Sequence, residues 1–416
     1  MHQSLYSKAK QLDDQHWPYR QEFYLPADGQ VYLDGNSLGL LSKPAEEAVY
    51  RVINDWKTHA IDGWTEGRQP WFYLASTLSR YASGLIGAQQ KETVITGSIT
   101  ANLHQLLATF YQPEGTRREV VTEAVAFPTD SYVTNSWVKH GADKIEVSPR
   151  EDRLLYEEDI EARLSERTAL VLLPSVLYRT GQRLDMKRLT EAAHSAGAVI
   201  GWDLAHSFGV MPHELHEEGA DFAVWCTYKY ANGGPGATGG LYVHEKHHHT
   251  SPALTGWFGS DQTKQFDMDT VFEPASDASA FQMGTPNILS MAPLIGSLEM
   301  LVEAGIDTIR SRSLQLTALL REGINSLQEL DNRLQVVTPA ACGGHIACSH
   351  PEAARIVKAL KASGVVPDFR APDIIRLAPS PLYTSAADVI QAVETLEAIL
   401  KNRTYEQYEN KRGIIA

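Results

Sequence analysis

The chain of 416 residues carries only three cysteines, Cys226, Cys342 and Cys348. They form no Cys-x-x-Cys pair, which argues against a disulfide framework and a thiolate zinc site and fits a reducing, cytoplasmic compartment. Positive charge is also scarce. Thirty-seven lysines and arginines stand against 51 aspartates and glutamates, a formal net charge of −14. That balance argues against nucleic acid and anionic membrane as partners. No uncharged apolar run approaches the roughly 18 residues of a membrane span. The stretch Met1-His-Gln-Ser-Leu-Tyr-Ser-Lys8 has no apolar segment of the kind a secretory signal needs. Internal repeats and low-complexity linkers are missing as well. What is left is an ordinary globular composition on a chain long enough for a large and a small domain.

From residue 93 onward, apolar β-prone runs alternate with helical periodicity. Strands are expected at Thr93–Thr96, Glu119–Thr122, Lys144–Val147, Ala169–Leu173, Ala198–Trp202, Phe222–Cys226 and Gly240–Val243. Between them, Leu103, Leu106, Leu107 and Phe110 fall at the spacing of one buried helix face, and Tyr156–Arg167 and Asp185–Ala196 read similarly. A helical pattern also covers 54–87, broken by the loop Gly63–Pro70, and another covers 287–330. Strand–helix alternation means βαβ units and a mostly parallel, doubly covered sheet, whose ligands bind at the carboxyl ends of the strands. The expected division is an N-terminal segment 1–50 packing with the small domain, a large domain 51–290, and a small C-terminal α/β domain 291–416.

Those strand ends carry the chemistry. The run Asp221-Phe-Ala-Val-Trp-Cys226 delivers one lysine, Lys229, into the glycine-rich loop Tyr230-Ala-Asn-Gly-Gly-Pro-Gly236. Burial lowers an amine's proton affinity and makes it a nucleophile towards carbonyls, although a lysine in a turn also snorkels to solvent. The strand before it ends in Asp203-Leu-Ala-His206. A carboxylate there suits a protonated ring nitrogen, or simply caps the next turn. Gly97-Ser-Ile-Thr100 opens a helix and offers free N–H groups to an anion, or plain caps. Phe127, in Phe127-Pro-Thr-Asp130, is an aromatic face or a core residue. Arg376, in an apolar strand, would pair with a carboxylate, either a substrate's or a structural one.

An Asp at one strand end, a Lys 26 residues later, an anion site upstream and an Arg downstream together describe a pyridoxal 5'-phosphate enzyme. The arrangement is similar to the fold-type I aminotransferase-like enzymes, class V branch. Within that branch the chain resembles the kynureninase family. Leu33-Asp-Gly-Asn-Ser-Leu-Gly39, Phe127-Pro-Thr-Asp130, Tyr178-Arg-Thr-Gly181, Trp202-Asp-Leu-Ala-His206, Cys226-Thr-Tyr-Lys-Tyr-Ala-Asn-Gly-Gly-Pro-Gly236, Gly256-Trp-Phe-Gly259 and Ile375-Arg-Leu-Ala-Pro379 carry the resemblance over nearly the full length.

The resemblance implies hydrolytic cleavage of L-kynurenine or 3-hydroxy-L-kynurenine. It implies that Lys229 bonds the cofactor, Asp203 holds its ring nitrogen, His206 lies beside the ring, Phe127 stacks on it and Asp130 bonds near its phenolic oxygen. Ile99 (through its backbone, being apolar), Thr100 and Tyr228 would meet the phosphate, joined by Trp257 and Thr285 from the second subunit of a homodimer. Arg376 would hold the substrate carboxylate, with Ser37 near the substrate and Trp64 at its aromatic ring. Tyr228 is the candidate acid/base at the γ-carbonyl. Two other readings stay open: a cysteine desulfurase-like enzyme, which needs a mobile nucleophilic cysteine where Cys348 reads as strand core, and a non-enzymatic cofactor-binding regulator. His247-His-His249 reads as a solvated loop, since three consecutive residues do not converge on one ion.

Overall fold

The computed structural model describes residues 2–26, 29–411 and 413. After the short strand β1 (Val31–Tyr32) come β2 (Thr93–Ile95), β3 (Glu119–Glu123), β4 (Asp143–Val147), β5 (Thr168–Pro174), β6 (Val199–Asp203), β7 (Phe222–Trp225) and β8 (Gly240–Val243). The last seven form one sheet in the order β2-β8-β7-β6-β5-β3-β4. Strands β3 to β7 run parallel, and β8 runs antiparallel between β2 and β7. The seven expected strands are all present, each within a residue or so of its expected ends.

Side chains alternate across this sheet with period two. Val121, Val171, Leu173, Ile200, Trp202 and Trp225 enter one apolar core. Val120, Leu170, Leu172, Phe222 and Val224 enter the other. With both faces covered, a strand such as β7 is fully buried and reads as an unbroken apolar run.

The second unit has a four-stranded antiparallel sheet. Strands β9 (Gln335–Val336), β10 (Ile346–Ser349), β12 (Asp368–Arg370) and β13 (Ile374–Leu377) lie in the order β12-β13-β10-β9. Strand β11 (Val365–Val366) pairs parallel with β1, tying the N-terminal segment to this unit. The helix His2–Asp13 adds Leu5, Ala9 and Leu12 to the same core.

Three helical stretches differ from expectation. The pattern over 287–330 is two helices, Ile288–Ala304 and Ile306–Ser326, bent by 81°. Gly305, at φ +75°, ends the first in the left-handed conformation that glycine adopts without penalty. Residues 291–304 thereby lie in the first core, with the large sheet. The 156–167 pattern yields only Glu157–Glu161, because Ser165 and Thr168 bond the local backbone and compete with the helix. A helix runs over Lys43–His59, earlier than expected, started by Ser42, whose hydroxyl accepts from the Ala45 N–H at 3.3 Å. Among the described residues no single helix is long and apolar enough to cross a membrane.

Asp221, buried at the start of β7, is a local hub. It accepts from His194 Nε2 (2.9 Å), His247 Nε2 (2.8 Å), Lys246 Nζ (2.7 Å) and the Ile200 N–H (2.8 Å). His247 is thus half-buried and paired, not free in a solvated loop. Burial alone would raise Asp221, but these donors outweigh it and hold the carboxyl below the ordinary range. A depressed carboxyl contributes stability above its unfolded value near 4 and loses it as pH falls. We expect Asp221→Asn to cost about 3 kcal/mol of unfolding free energy at pH 7, measured by urea denaturation, and only somewhat less at pH 3, where the folded carboxyl is still ionised.

Candidate functional site

The site lies at the carboxyl ends of β3, β6 and β7. Lys229 leaves β7 in a glycine-rich turn and is 9% exposed. Its Nζ lies 3.0 Å from His206 Nε2 and 5.7 Å from the Phe127 ring centroid. Burial chiefly lowers its proton affinity. His206 is also buried, and desolvation followed by the nearby Lys229 cation holds its imidazole neutral. The Phe127 ring is not core: it is 37% exposed, and its other neighbour is Tyr178, edge-on at 5.3 Å.

The turn bearing Lys229 is locked to the N-terminal segment. The Gly39 N–H donates to the Tyr228 carbonyl at 2.7 Å. A Cβ on Gly39 would lie 2.2 Å from Asn232 Oδ1 and 2.4 Å from the Lys229 carbonyl, so only glycine fits.

Asp203 ends β6, and its Oδ1 accepts from the Ala205 N–H at 2.7 Å. Its carboxyl shares a hydrogen bond with Asp130, one turn into the helix Pro128–Val138. Both are buried. Asp130 is held well above the ordinary carboxylate range by desolvation and then by Asp203's charge, so it carries the shared proton. Asp203 is raised less, because Lys229 and the Ala205 N–H stabilise its charge against burial. Among the described residues Asp130 Oδ1 has no hydrogen-bond partner, and neither has His206 Nδ1.

A cradle lies beside this pair. The helix Ile99–Phe110 is capped by Ser98, whose Oγ accepts from the Ala101 N–H at 3.4 Å. The N–H groups of Ile99 and Thr100 have no acceptor within the helix, as at any helix start. Thr100 Oγ1 meets Thr129 Oγ1 at 3.3 Å, so two helix N-termini converge here. Gly97, at φ +56°, lets the chain turn from β2 into this helix. The arrangement suits a phosphate. The half-buried Tyr228 phenol is pushed up by burial and stays protonated.

On the other side stands Arg376 of β13, 1% exposed. It donates to Asp368 Oδ2 from Nε (2.6 Å) and from Nη2, and to the Tyr178 carbonyl at 2.7 Å. Its Nη2 also lies 3.4 Å from Ser37 Oγ. The guanidinium is thus held by a structural ion pair while one of its nitrogens also faces Ser37. Trp64 packs on Trp71 and Phe258, with ring centroids 5.9 and 6.0 Å away. Trp257, 48% exposed, packs on Phe258 and Phe266, and Thr285 is exposed; neither contacts the Lys229 cluster in this chain. Cys348 is wholly buried in β10, and burial pushes its thiol up to about 12, so it is core and not a mobile nucleophile.

Three residues escaped the sequence reading. Glu123 ends β3 with Oε2 held by the Val125 N–H (2.8 Å) and Oε1 unpartnered, and burial raises it to about 7. Its signal was the one that marked Asp203, a carboxylate at a strand end. Asn36 is fully buried and, among the described residues, has no partner for either side-chain polar atom, and His345 likewise has none at either ring nitrogen. Nothing in spacing or periodicity distinguishes these two. Away from the site, ligand atoms of Glu92, His216 and His244 lie within 4.8 Å of one another; Glu92 Oε1 accepts from His216 Nδ1 at 2.9 Å and from the Glu245 N–H at 2.9 Å.

Comparison with known proteins gives concordant results. The family described as "Kynureninase C-terminal domain" matches residues 309–396, and the DegT/DnrJ/EryC1/StrS aminotransferase family matches 77–223. A kynureninase of Geobacillus thermodenitrificans is 50% identical over 407 residues, covering 96% of this chain and 94% of that protein. A kynureninase of Bacillus cereus is 48% identical, covering 100% and 99%. Among solved structures, a cysteine desulfurase of Thermococcus onnurineus superposes with a TM-score of 0.80 at 19% identity, covering 93% of this chain and 99% of that one. The lyase C-DES, with glycine covalently linked to its PLP cofactor, superposes at 0.79 and 18% identity, covering 91% and 99%. At such identity the superpositions establish the fold.

The raised Asp130 carboxyl has a stability consequence. The folded state binds its proton more tightly than the unfolded chain, so stability falls as pH rises above about 4. Asp130→Asn keeps a donor towards Asp203 and removes that loss. We expect the cofactor-free variant to be about 1 to 3 kcal/mol more stable than the parent at pH 8, and nearly equal to it at pH 4, in urea titrations.

Proposed function

This chain belongs to the kynureninase family, and from that premise we propose how its residues hydrolyse the Cβ–Cγ bond of L-kynurenine, or its 3-hydroxy form, to anthranilate (or 3-hydroxyanthranilate) and L-alanine. Pyridoxal 5'-phosphate is the cofactor. The observation that carries the reading is Lys229 itself: a buried amine of lowered proton affinity at a strand end, over the face of Phe127 and beside a carboxylate pair. The unpartnered Oδ1 of Asp130 and the two converging helix starts fit the polar edges of such a cofactor.

Asp203 holds the cofactor's ring nitrogen, with His206 beside the ring and Phe127 stacked on it. Asp130 bonds near the phenolic oxygen. The N–H of Ile99, the hydroxyl of Thr100 and the phenol of Tyr228 take the phosphate. When bound, pyridoxal phosphate supplies the electron sink that lets bonds at the substrate's α- and β-carbons break heterolytically. Lys229 moves the α proton, which its lowered proton affinity allows near neutral pH. Arg376 and Ser37 orient the substrate carboxylate, and Trp64 borders the aromatic ring. Tyr228 delivers a proton at the γ-carbonyl oxygen. Water supplies hydroxyl to the γ-carbon, which leaves as the aromatic carboxylate, and a proton to the β-carbon, which leaves as alanine.

A second copy of the chain completes the site: Trp257 stands on an exposed apolar surface with Phe266, Met268 and Val271, and Thr285 is exposed as well. The working form is a cytoplasmic homodimer without nucleic-acid or membrane partners, in keeping with the acidic surface and the three buried free cysteines. It acts in tryptophan breakdown or in nicotinamide-nucleotide synthesis. The desulfurase alternative loses its nucleophile with Cys348.

The test is anthranilate fluorescence on adding L-kynurenine to the cofactor-loaded protein. Release in the parent and none with Lys229→Ala is expected; no release from the parent refutes the reading. Tyr228→Phe should lower the single-turnover rate of anthranilate release at least about 100-fold with kynurenine still bound. Arg376→Lys should raise KM at least about tenfold, since one point charge replaces a fork. Light scattering should give twice the chain mass.

A further inference from the structure

Lys229 and His206 constrain a third residue. Lys229 Nζ carries N–H donors whether charged or neutral, and with it donating at 3.0 Å His206 Nε2 accepts. The neutral His206 then carries its proton on Nδ1, a buried donor with no partner among the described residues. An orphan donor of that kind costs roughly 1 to 3 kcal/mol. His345 stands next to it, with ring centroids 5.7 Å apart and planes tilted by 59°. It is wholly buried, and both its nitrogens also lack partners.

His345 precedes β10, so it reaches the lysine from the second unit. Its loop is pressed against the large sheet's connections. The Gly343 N–H donates to the Gly181 carbonyl at 2.9 Å, and a Cβ on Gly181 would stand 2.8 Å from the His345 carbonyl. The ring therefore has little freedom to turn away. The groups facing the two imidazoles are cations, Lys229, Arg376 and Arg370, together with the Tyr178 backbone, which attracts the His345 ring but falls outside hydrogen-bond geometry. Two neutral rings amid cations, with three orphan nitrogens between them, suit one bridging water, which needs two to four polar partners.

We infer that His345 is a positioning residue: through a buried water it accepts the Nδ1 proton of His206 and so keeps His206 Nε2 free to face the Lys229 nitrogen. The inference rests on Lys229 being the reacting lysine, but its two physical readouts do not depend on turnover. Nitrogen-15 imidazole spectra of the protein, with and without cofactor, should show His206 protonated on Nδ1, and a high-resolution structure should show the water. In His345→Leu the His206 signal should move towards the Nε2–H form, kcat should fall at least about tenfold with KM within threefold, and the kcat–pH profile should shift. His345→Gln, which keeps an acceptor, should restore most of kcat. Unchanged His206 spectra in His345→Leu, or no ordered water between the rings, would overturn the inference even in an active enzyme. If kynurenine turnover is absent altogether, spectra and water still decide it, separately from the catalytic reading.

Discussion

The constraint on which the rest of the structure depends is the cost of holding one lysine out of water. An isolated buried ammonium is expensive, and the fold answers by lowering its proton affinity and by surrounding it with groups of chosen charge. Two parallel strands, β6 and β7, bring Asp203 and Lys229 out at the same edge because their register is fixed by alternating apolar side chains on both faces. A slip of one residue would turn Asp203 into the core and Trp202 towards the site. The precision of the chemistry therefore comes from hydrophobic packing some distance below it.

Around the lysine, charge is graded. Asp130 and Glu123 are pushed towards the neutral form by burial, His206 and His345 are kept neutral by burial and by cations, and Arg376 stays charged because Asp368 pairs with it. The result is a site rich in ionisable groups and poor in net charge. Among the described residues several of its polar atoms are unpartnered, at Asp130 and Asn36. Such a set is costly in an empty protein and is repaid when a polar ligand enters. This is the physical sense in which the fold is built for a cofactor and a zwitterionic substrate.

Much of this was legible in the chain, and the boundary has physical reasons. The strands were readable because period-two burial leaves long apolar runs, and Lys229 and Asp203 stood out as charges at their ends. Phe127 and Arg376 were ambiguous, because a sequence does not say whether an aromatic is covered or an arginine already paired. Arg376 proved to be paired and to touch Ser37 as well. The 287–330 pattern looked like one helix because Gly305 interrupts it without breaking its apolar periodicity; only the left-handed backbone there reveals the 81° bend. Trp257 and Thr285 stay away from the lysine within one chain, and we propose that they act in a second copy. Asn36 and His345 gave no signal, because their importance lies in lacking partners, a property of three dimensions.

The seam between the two units is where these threads meet. Asp203, Lys229 and Phe127 come from the large sheet, whereas Arg376 and His345 come from the smaller one, and β1 binds the Asn36–Gly39 loop to that smaller unit by backbone pairing. The groups we propose to face the cofactor and those we propose to read the substrate carboxylate thus sit on different units. Small motions between the bodies alter the second set against the first and leave Lys229 in its packed turn. Gly39 and Gly181 are points of close approach across that seam, and a single methyl group at either would press on the Lys229 or the His345 carbonyl. The fold thus holds Lys229 in a tightly packed turn and places Arg376 and His345 on the facing unit, so that in the proposed reading alignment of the two units is itself part of the active site.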